Sequence, residues 1–192
     1  MKTKEKNKKI MPEKCDKKFI ECWSEQYPVS KYEKLYIDNI KKTKFTEKDI
    51  TELYLWKNNI CFSSKKEIAV KKYLKNIKYI NELKQSKKAI DKDEFKKVFG
   101  EFEIWTIFLL HIIKPDEFPI FDQHVCRAFN YIKHKKIKEI PKSPRELEEV
   151  YYTEYLPFFK KILKDNNLED KRTLDKALWA FGKSLKMKKI KS

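Results

Sequence analysis

The chain contains only 2 glycines in 192 residues, and this scarcity restricts the folds that are open to it. Tight turns between β-strands need residues with positive φ, which glycine supplies most readily. Apolar residues instead recur at helical spacing, as at Val70, Leu74, Ile77 and Ile80, with lysines filling the other side. The sequence therefore predicts an all-α protein.

Capping signals predict where several helices begin and end. Thr46 followed by Asp49 is typical of a capping box, and Gly100 is well placed to end a helix. A short hairpin is therefore expected at residues 100–103. The apolar spacing from Val70 to Ile80 predicts one helix over that stretch.

Two prolines in the C-terminal third of the chain predict where helices begin. Ser143 and Pro144 predict a helix start, and Pro157 predicts the opening of a separate segment that ends near Asn166. Length fits one domain, residues 13–192, with two possible lobes formed by residues 46–138 and by residues 13–45 plus 139–192. Residues 1–12 are predicted to be a disordered basic arm.

The charge balance indicates a polyanionic partner. Lys and Arg number 46 against 29 Asp and Glu, which gives a formal net charge of +17. A field of this size favours nucleic acid, although lysine-rich helix faces can also be only solvated. Four scattered cysteines predict free thiols rather than a metal site or a disulfide framework. With no secretory or membrane-spanning pattern, we expect a cytoplasmic protein, and a monomer, without a membrane partner.

One carboxylate stands out by its position. Asp122 follows a very apolar segment, residues 104–113, and precedes another helical pattern, so it is predicted to be an N-cap that is ionised and fixed in direction. Asparagine caps nearly as well, and the cap alone predicts that Asp122→Asn costs less than ~1 kcal/mol. A plain structural cap between two core helices is the alternative interpretation.

Asp122, His124, Val125, Arg127 and Asn130 together resemble the helix start that carries the catalytic aspartate in the helix-hairpin-helix DNA glycosylase superfamily. That superfamily includes endonuclease III and the 3-methyladenine glycosylases. The resemblance implies a two-lobed multi-helix fold with a helix-hairpin-helix, and a protein that hydrolyses the N-glycosidic bond of a damaged or modified base flipped out of duplex DNA.

The chain departs from the family pattern at two places. The family's hairpin glycines, which let backbone N–H groups approach a DNA phosphate, are replaced by Glu101 and Glu103. Trp105, 17 positions before Asp122, stands where members that cut the DNA backbone have a nucleophilic lysine. Tryptophan cannot form a Schiff base, so the resemblance implies a monofunctional enzyme.

The resemblance and the residue types assign roles as follows. Asp122 is the expected catalytic residue, and no metal or cofactor is expected. The base pocket is expected to include Trp105 and Gln123, while His124 and Arg127 support the helix start. Contact with DNA phosphates is expected of four lysines at the end of the same helix, Lys133, Lys135, Lys136 and Lys138. The alternative is that they only complement the negative end of the helix dipole.

Other interpretations remain open. Further aromatic residues, Tyr54, Trp56, Tyr151 and Tyr152, fit either base stacking or the core. The chain also fits a non-catalytic helical DNA-binding protein of the same fold. A helical module that binds RNA or protein is the third alternative.

Overall fold

The computed structural model of the chain describes residues 14–189, and the predicted arm, residues 1–12, lies outside them. The described residues contain no β-strand, so the all-α prediction is confirmed. No helix among them is long and apolar enough to cross a bilayer. The α-helices are α1 Lys17–Ser24, α2 Glu33–Ile40, α3 Glu47–Asn58, α4 Ser64–Lys75, α5 Ile77–Gln85, α6 Lys92–Phe99, α7 Ile104–Ile113, α8 Gln123–His134, α9 Pro144–Glu149, α10 Leu156–Asp165 and α11 Lys171–Lys189.

Local capping signals were predicted correctly. The Thr46 hydroxyl accepts from the N–H of Asp49, and the Asp49 carboxylate accepts from the N–H of Thr46, which completes the capping box at the start of α3. Gly100 ends α6 with φ of 86°, a conformation that glycine tolerates. Residues 100–103 join α6 to α7, and the predicted hairpin segment therefore lies between two helices.

The prediction of one helix across residues 70–80 was wrong. The chain leaves the helical conformation at Asn76, which has φ −108° and ψ 23° and separates α4 from α5. The Asn76 side-chain amide donates to the carbonyl of Lys72 at 3.0 Å. Asparagine competes in this way with the backbone for hydrogen bonds, and the apolar spacing does not record that competition.

The predicted break before Pro157 was also wrong. A π-helical turn, Val150–Tyr155, links α9 to α10, so residues 144–165 form one helical stretch. Within the turn the N–H of Leu156 bonds the carbonyl of Tyr151, five residues back. Pro157 directly follows this wider turn, so its ring and its missing N–H are accommodated without a break in the helical stretch.

The buried side chains form one hydrophobic cluster, in which α11 packs against α1 and α8, and α2 packs against α3. The rings of Phe19 and Phe181 meet edge to face, with centroids 5.2 Å apart. Gly182 lets α11 approach the start of α8, since a Cβ at this position would lie 1.8 Å from the carbonyl oxygen of His124. The division into two lobes stays a prediction.

Candidate functional site

Asp122 is the N-cap of α8, as predicted. Its Oδ1 accepts from the backbone N–H groups of His124, at 2.8 Å, and Val125, at 3.1 Å. These bonds satisfy two of the free donors at the helix start and hold the carboxylate in one orientation.

The second oxygen of Asp122 has a charged partner that the sequence did not indicate. Lys57, near the end of α3, places its ammonium 3.1 Å from Oδ2, and the two side chains are only 9% and 14% exposed. Burial raises the pKa of Asp122, but the Lys57 ammonium, the N–H of Val125 and nearby His124 lower it, so that it lies below the ordinary value. Asp122 is therefore a largely enclosed, ionised carboxylate.

The segment that leads to Asp122 is held by three consecutive carbonyl groups. Phe118, Pro119 and Ile120 accept hydrogen bonds, at 2.8 to 2.9 Å, from His111 Nδ1, the Tyr151 hydroxyl and the Tyr155 hydroxyl, in that order. Both tyrosines come from the π-helical turn and are fully buried. The turn therefore has a positional role, since two of its side chains bond adjacent residues of this segment.

The ring of His111 completes this support. Its Nδ1 must donate, because a carbonyl only accepts, which leaves Nε2 to accept from the Tyr36 hydroxyl at 2.9 Å. Burial lowers the pKa of His111 to about 3, so the ring is neutral at pH 7. Both ring nitrogens of His111 are therefore hydrogen-bonded.

A cavity of about 390 Å³ opens beside Asp122. This volume lies within the range of small-ligand sites, roughly 300–1,000 Å³. Aromatic side chains on three elements contribute to its walls, and lysines contribute positive charge. The lining includes Tyr27, Val29, Lys31, Trp56, Lys57, Asn59, Ile120, Asp122, Arg172, Asp175, Trp179 and Lys183.

Arg172 forms part of this lining and is enclosed by rings. Its guanidinium carbon lies 5.1, 4.9 and 4.8 Å from the ring centroids of Tyr27, Tyr36 and Trp56. It pairs with Asp175, one turn later on α11, and with Glu33 on α2 at 3.3 Å. Glu33 also accepts from the Trp56 indole at 2.7 Å, which fixes the orientation of that ring.

Asp175 lines the same cavity as Asp122 but has a different environment. Its Oδ2 pairs with Arg172, whereas its buried Oδ1 has no hydrogen-bond partner among the described residues. Burial raises the pKa of Asp175, nearby Asp122 raises it further, and Arg172 and Lys57 offset only part of this. The cavity thus holds two carboxyl groups whose pKa values are shifted in opposite directions.

His124 and Arg127 lie in the first two turns of α8, and their side chains contact each other. Arg127 is buried and pairs with Glu139 through Nε and Nη2, with a shortest contact of 2.6 Å. Its Nη1 contacts Nδ1 of His124 at 3.2 Å, so that ring nitrogen accepts and the proton lies on Nε2. The ring of His124 packs edge to face on Trp179, at 4.8 Å. Trp179 then lines the cavity.

The two residues predicted for the base pocket lie elsewhere. Trp105 stacks on Tyr54, at a centroid distance of 4.9 Å, and lines a separate cavity with Pro141 and Leu147. Gln123 is exposed and does not line the Asp122 cavity as described. The distance in sequence between Trp105 and Asp122 did not determine which side chains share a cavity, because α7 buries most of its surface in the core.

The predicted lysine cluster lies at the far end of α8 from Asp122. An axial rise of 1.5 Å per residue puts Lys135 about 20 Å from the helix start. Lys133 pairs with Glu154 at 2.8 Å, and Lys135, Lys136 and Lys138 are exposed. The cluster is therefore not beside the aspartate, although one helix carries both features.

The hairpin segment keeps the acidic character seen in the sequence. Glu101 and Glu103 are exposed, while Phe102 between them is buried in the core. Lys72 donates to the carbonyl of Phe99, the last residue of α6, at 2.9 Å. The hairpin is thus anchored by an aromatic side chain and presents two carboxylates to solvent.

The other aromatic candidates divide between core and cavity. Tyr54 is fully buried and donates to the carbonyl of Trp105 at 2.9 Å. Tyr151 supports the segment before Asp122, and Tyr152 packs on Phe102. Only Trp56 of these four is among the residues that line the Asp122 cavity in the described structure.

Sequence reasoning missed Lys57, Arg172, Asp175 and Trp179. One usable signal was residue choice, since only three of the 46 basic residues are arginines, Arg127, Arg145 and Arg172. Arginine in a lysine-rich chain marks sites where a planar, multidentate cation is needed. Two of the three, Arg127 and Arg172, have largely enclosed guanidinium groups that are ion-paired. For Lys57, one of many lysines, the sequence carries no comparable signal.

No group of three or more His, Cys, Asp or Glu side chains within the described part of the chain is arranged to bind a metal. Searches of family models, curated proteins and solved structures gave no match to this chain.

Proposed function

We propose that the protein is a monofunctional DNA glycosylase that hydrolyses the N-glycosidic bond of a damaged or modified base. One observation carries the proposal: Asp122 is an ionised carboxylate, oriented by a helix start, beside a cavity of base-compatible size. The helix-hairpin-helix resemblance around Asp122 and the net charge of +17 support it.

The chemistry needs an anion near the sugar. As the base leaves, positive charge develops on the sugar ring at C1′, and a preorganised carboxylate stabilises that charge. The same carboxylate can polarise the attacking water. Asp122 is suited to both tasks because its direction is fixed by two backbone N–H groups.

The base pocket in this proposal is the Asp122 cavity rather than the surroundings of Trp105. Trp56 and Trp179 provide aromatic surface against which an extruded base would stack, while Lys31 and Lys183 provide positive charge for the DNA backbone. Trp56 is held by Glu33, so its ring is oriented before any base enters.

The enzyme should leave the DNA backbone intact. A lyase needs an amine that is free to attack C1′, and Lys57, the lysine nearest Asp122, has its Nζ engaged by the Asp122 carboxylate at 3.1 Å. Abasic DNA is therefore the expected product, and strands should break only after alkali or heat. Borohydride trapping of a covalent adduct through Lys57 would show the monofunctional assignment to be wrong.

A second candidate is a non-catalytic DNA-binding protein of the same fold. The observation that favours it is the pair of exposed carboxylates at the hairpin, Glu101 and Glu103, which repel a phosphate at the place where the family anchors one. Such a protein would bind DNA through its lysines and would not require Asp122.

The deciding experiment is an abasic-site assay with duplex oligonucleotides that each carry one deaminated, alkylated or oxidised base. The wild-type chain should release at least one of them, and Asp122→Asn should lower that rate by ~10² to 10³. The matched control is Asp116→Asn, because Asp116 is exposed and pairs with Lys171 at the surface. DNA binding without base release by the wild type would favour the second candidate, and no DNA binding at low salt would exclude both.

A further inference from the structure

Asp175 is the second carboxyl group of the Asp122 cavity, and nothing in the sequence motif includes it. It lies on α11, about fifty positions after Asp122, and its side chain is 9% exposed. Arg172 and Asp175 also line a neighbouring cavity of about 520 Å³, so the pair stands between the two spaces.

The two carboxyl groups differ in how their oxygens are satisfied. Asp122 has both oxygens engaged, one by two backbone N–H groups and one by Lys57. Asp175 has one oxygen held by Arg172 and one buried oxygen, Oδ1, to which no described residue donates a hydrogen bond. A buried acceptor without a partner is costly, and protonation, contact with a ligand, or a bond from the Nε of Arg172, which also has no partner among the described residues, relieves that cost.

The charged groups around Asp175 are Arg172 on its own helix, Lys57 on α3, Asp122 at the start of α8 and Glu33 on α2. Arg172 is shared between Asp175 and Glu33, so one cation serves two carboxyl groups and offsets the burial of Asp175 only in part. Their combined effect leaves the pKa of Asp175 raised, opposite to the shift at Asp122. Paired groups with opposite shifts are the usual arrangement of an acid and a base in one site.

We propose that Asp175 is the general acid that protonates the leaving base. In this step the bond between C1′ and the base nitrogen breaks, its electron pair stays with the base, and the Oδ1 proton of Asp175 is transferred to the base. Water adds to C1′ and loses its proton to Asp122, which releases it to solvent, and Asp175 is reprotonated from solvent. The net reaction consumes one water. This assignment rests on the proposed glycosylase function.

The test uses the charge of the leaving base. A base alkylated on its ring nitrogen already carries positive charge and leaves without a proton, whereas a neutral base gains from protonation. Duplexes that carry a single 7-methylguanine or a single hypoxanthine provide the two cases. Asp175→Asn keeps the side-chain volume and an acceptor for Arg172, and it should slow release of hypoxanthine by ~10² or more. Release of 7-methylguanine by the same preparation should change by less than about threefold.

Each outcome separates the two claims. If the wild type releases neither base nor any other in the panel, the glycosylase proposal fails and the acid assignment fails with it. If the wild type releases only 7-methylguanine, or if Asp175→Asn slows both bases equally while circular dichroism shows it folded, the glycosylase proposal stands and Asp175 is not the acid. Should Asp175→Asn fail to fold, Glu33→Gln/Arg172→Met/Asp175→Leu removes Arg172 together with both carboxyl groups that it serves, and the same split between the two bases is expected.

Discussion

The Lys57 ammonium lies 3.1 Å from Oδ2 of Asp122, and both side chains are nearly buried. This ion pair changes what replacing the aspartate should do. If Asp122 acted only as an N-cap, Asp122→Asn would lower the free energy of unfolding by less than ~1 kcal/mol. With the carboxylate gone, however, a buried ammonium is left without its counter-charge, which typically costs about 3–5 kcal/mol.

The first prediction is therefore a double-mutant cycle. Asp122→Asn should lower the free energy of unfolding by about 3 kcal/mol or more, and the double variant Lys57→Met/Asp122→Asn should recover most of that loss. Urea denaturation measures each variant. Asp116→Asn, at an exposed site, should change the free energy of unfolding by less than about 0.5 kcal/mol. A loss below ~1 kcal/mol for Asp122→Asn would mean that the ion pair contributes little to the folded state.

The second prediction separates support of the site from support of the fold. Tyr155→Phe and Tyr54→Phe each remove one buried hydroxyl that donates to a backbone carbonyl at 2.9 Å. Tyr155→Phe should cost about 1–3 kcal/mol, because the Ile120 carbonyl lies outside the helices and loses its donor. Tyr54→Phe should cost about 0.5–1.5 kcal/mol, because the Trp105 carbonyl keeps its place in the backbone hydrogen bonding of α7. Of these two tyrosines, Tyr155 is the one that bonds the segment leading to Asp122. Tyr155→Phe should therefore reduce base release tenfold or more beyond Tyr54→Phe, because a catalytic group that is displaced by even about 1 Å loses much of its rate. Equal rates for the two folded variants would remove the positional role of Tyr155.

The third prediction concerns the packing of α11 on α8. Replacing an interior helical glycine by alanine ordinarily stabilises a protein by roughly 0.5–1 kcal/mol. At Gly182 the new Cβ would meet the carbonyl oxygen of His124, so Gly182→Ala should instead destabilise by about 1–3 kcal/mol or more. Thermal unfolding shows whether Gly182→Ala stabilises or destabilises the protein, and Ser184→Ala on the same helix is the control. A stabilised Gly182→Ala would show that the start of α8 shifts freely.

The fourth prediction is a pH dependence. The pKa of His111 is about 3 in the folded chain, against about 6.5 when unfolded, so the unfolded state binds the extra proton between these values. Stability should therefore fall as the pH falls from 7 to 5, by about 2 kcal/mol from this residue. His124, whose pKa is also lowered by burial, acts in the same direction. Urea titrations at pH 7 and pH 5 measure the free energy of unfolding, and its decrease should be smaller for His111→Gln than for the wild type. An equal decrease in the two proteins would assign the pH dependence to other groups.

The fifth prediction concerns the lysines at the end of α8. Replacing Lys135, Lys136 and Lys138 by alanine should weaken duplex binding. The slope of log affinity against log salt should fall by about 0.9 for each DNA phosphate that the variant no longer neutralises. Three exposed lysines on α10 serve as the matched control, Lys160, Lys161 and Lys164. Equal effects from the two triple variants would indicate a response to net charge alone.

Local features of the site were readable from the sequence. An aspartate before a helical pattern caps that helix whatever surrounds it, since the backbone N–H groups it satisfies are two and three residues away. The same reasoning holds for Thr46 with Asp49, and for Gly100. The predictions at Asn76 and Pro157 were wrong. At Asn76 a side-chain amide competes for backbone hydrogen bonds, and the helix predicted from apolar spacing is divided there. Before Pro157 a π-helical turn continues the helix that proline alone predicts to end.

The composition of the cavity was decided by tertiary structure. Lys57, Asp122 and Asp175 belong to α3, the start of α8 and α11, and they interact only because the packing of those helices brings their side chains together. Trp105 has the expected distance from Asp122 in sequence and still lines another space. Helix caps depend on neighbours along the chain, whereas burial, ion pairing and the resulting pKa shifts depend on which distant side chains exclude water from the same volume.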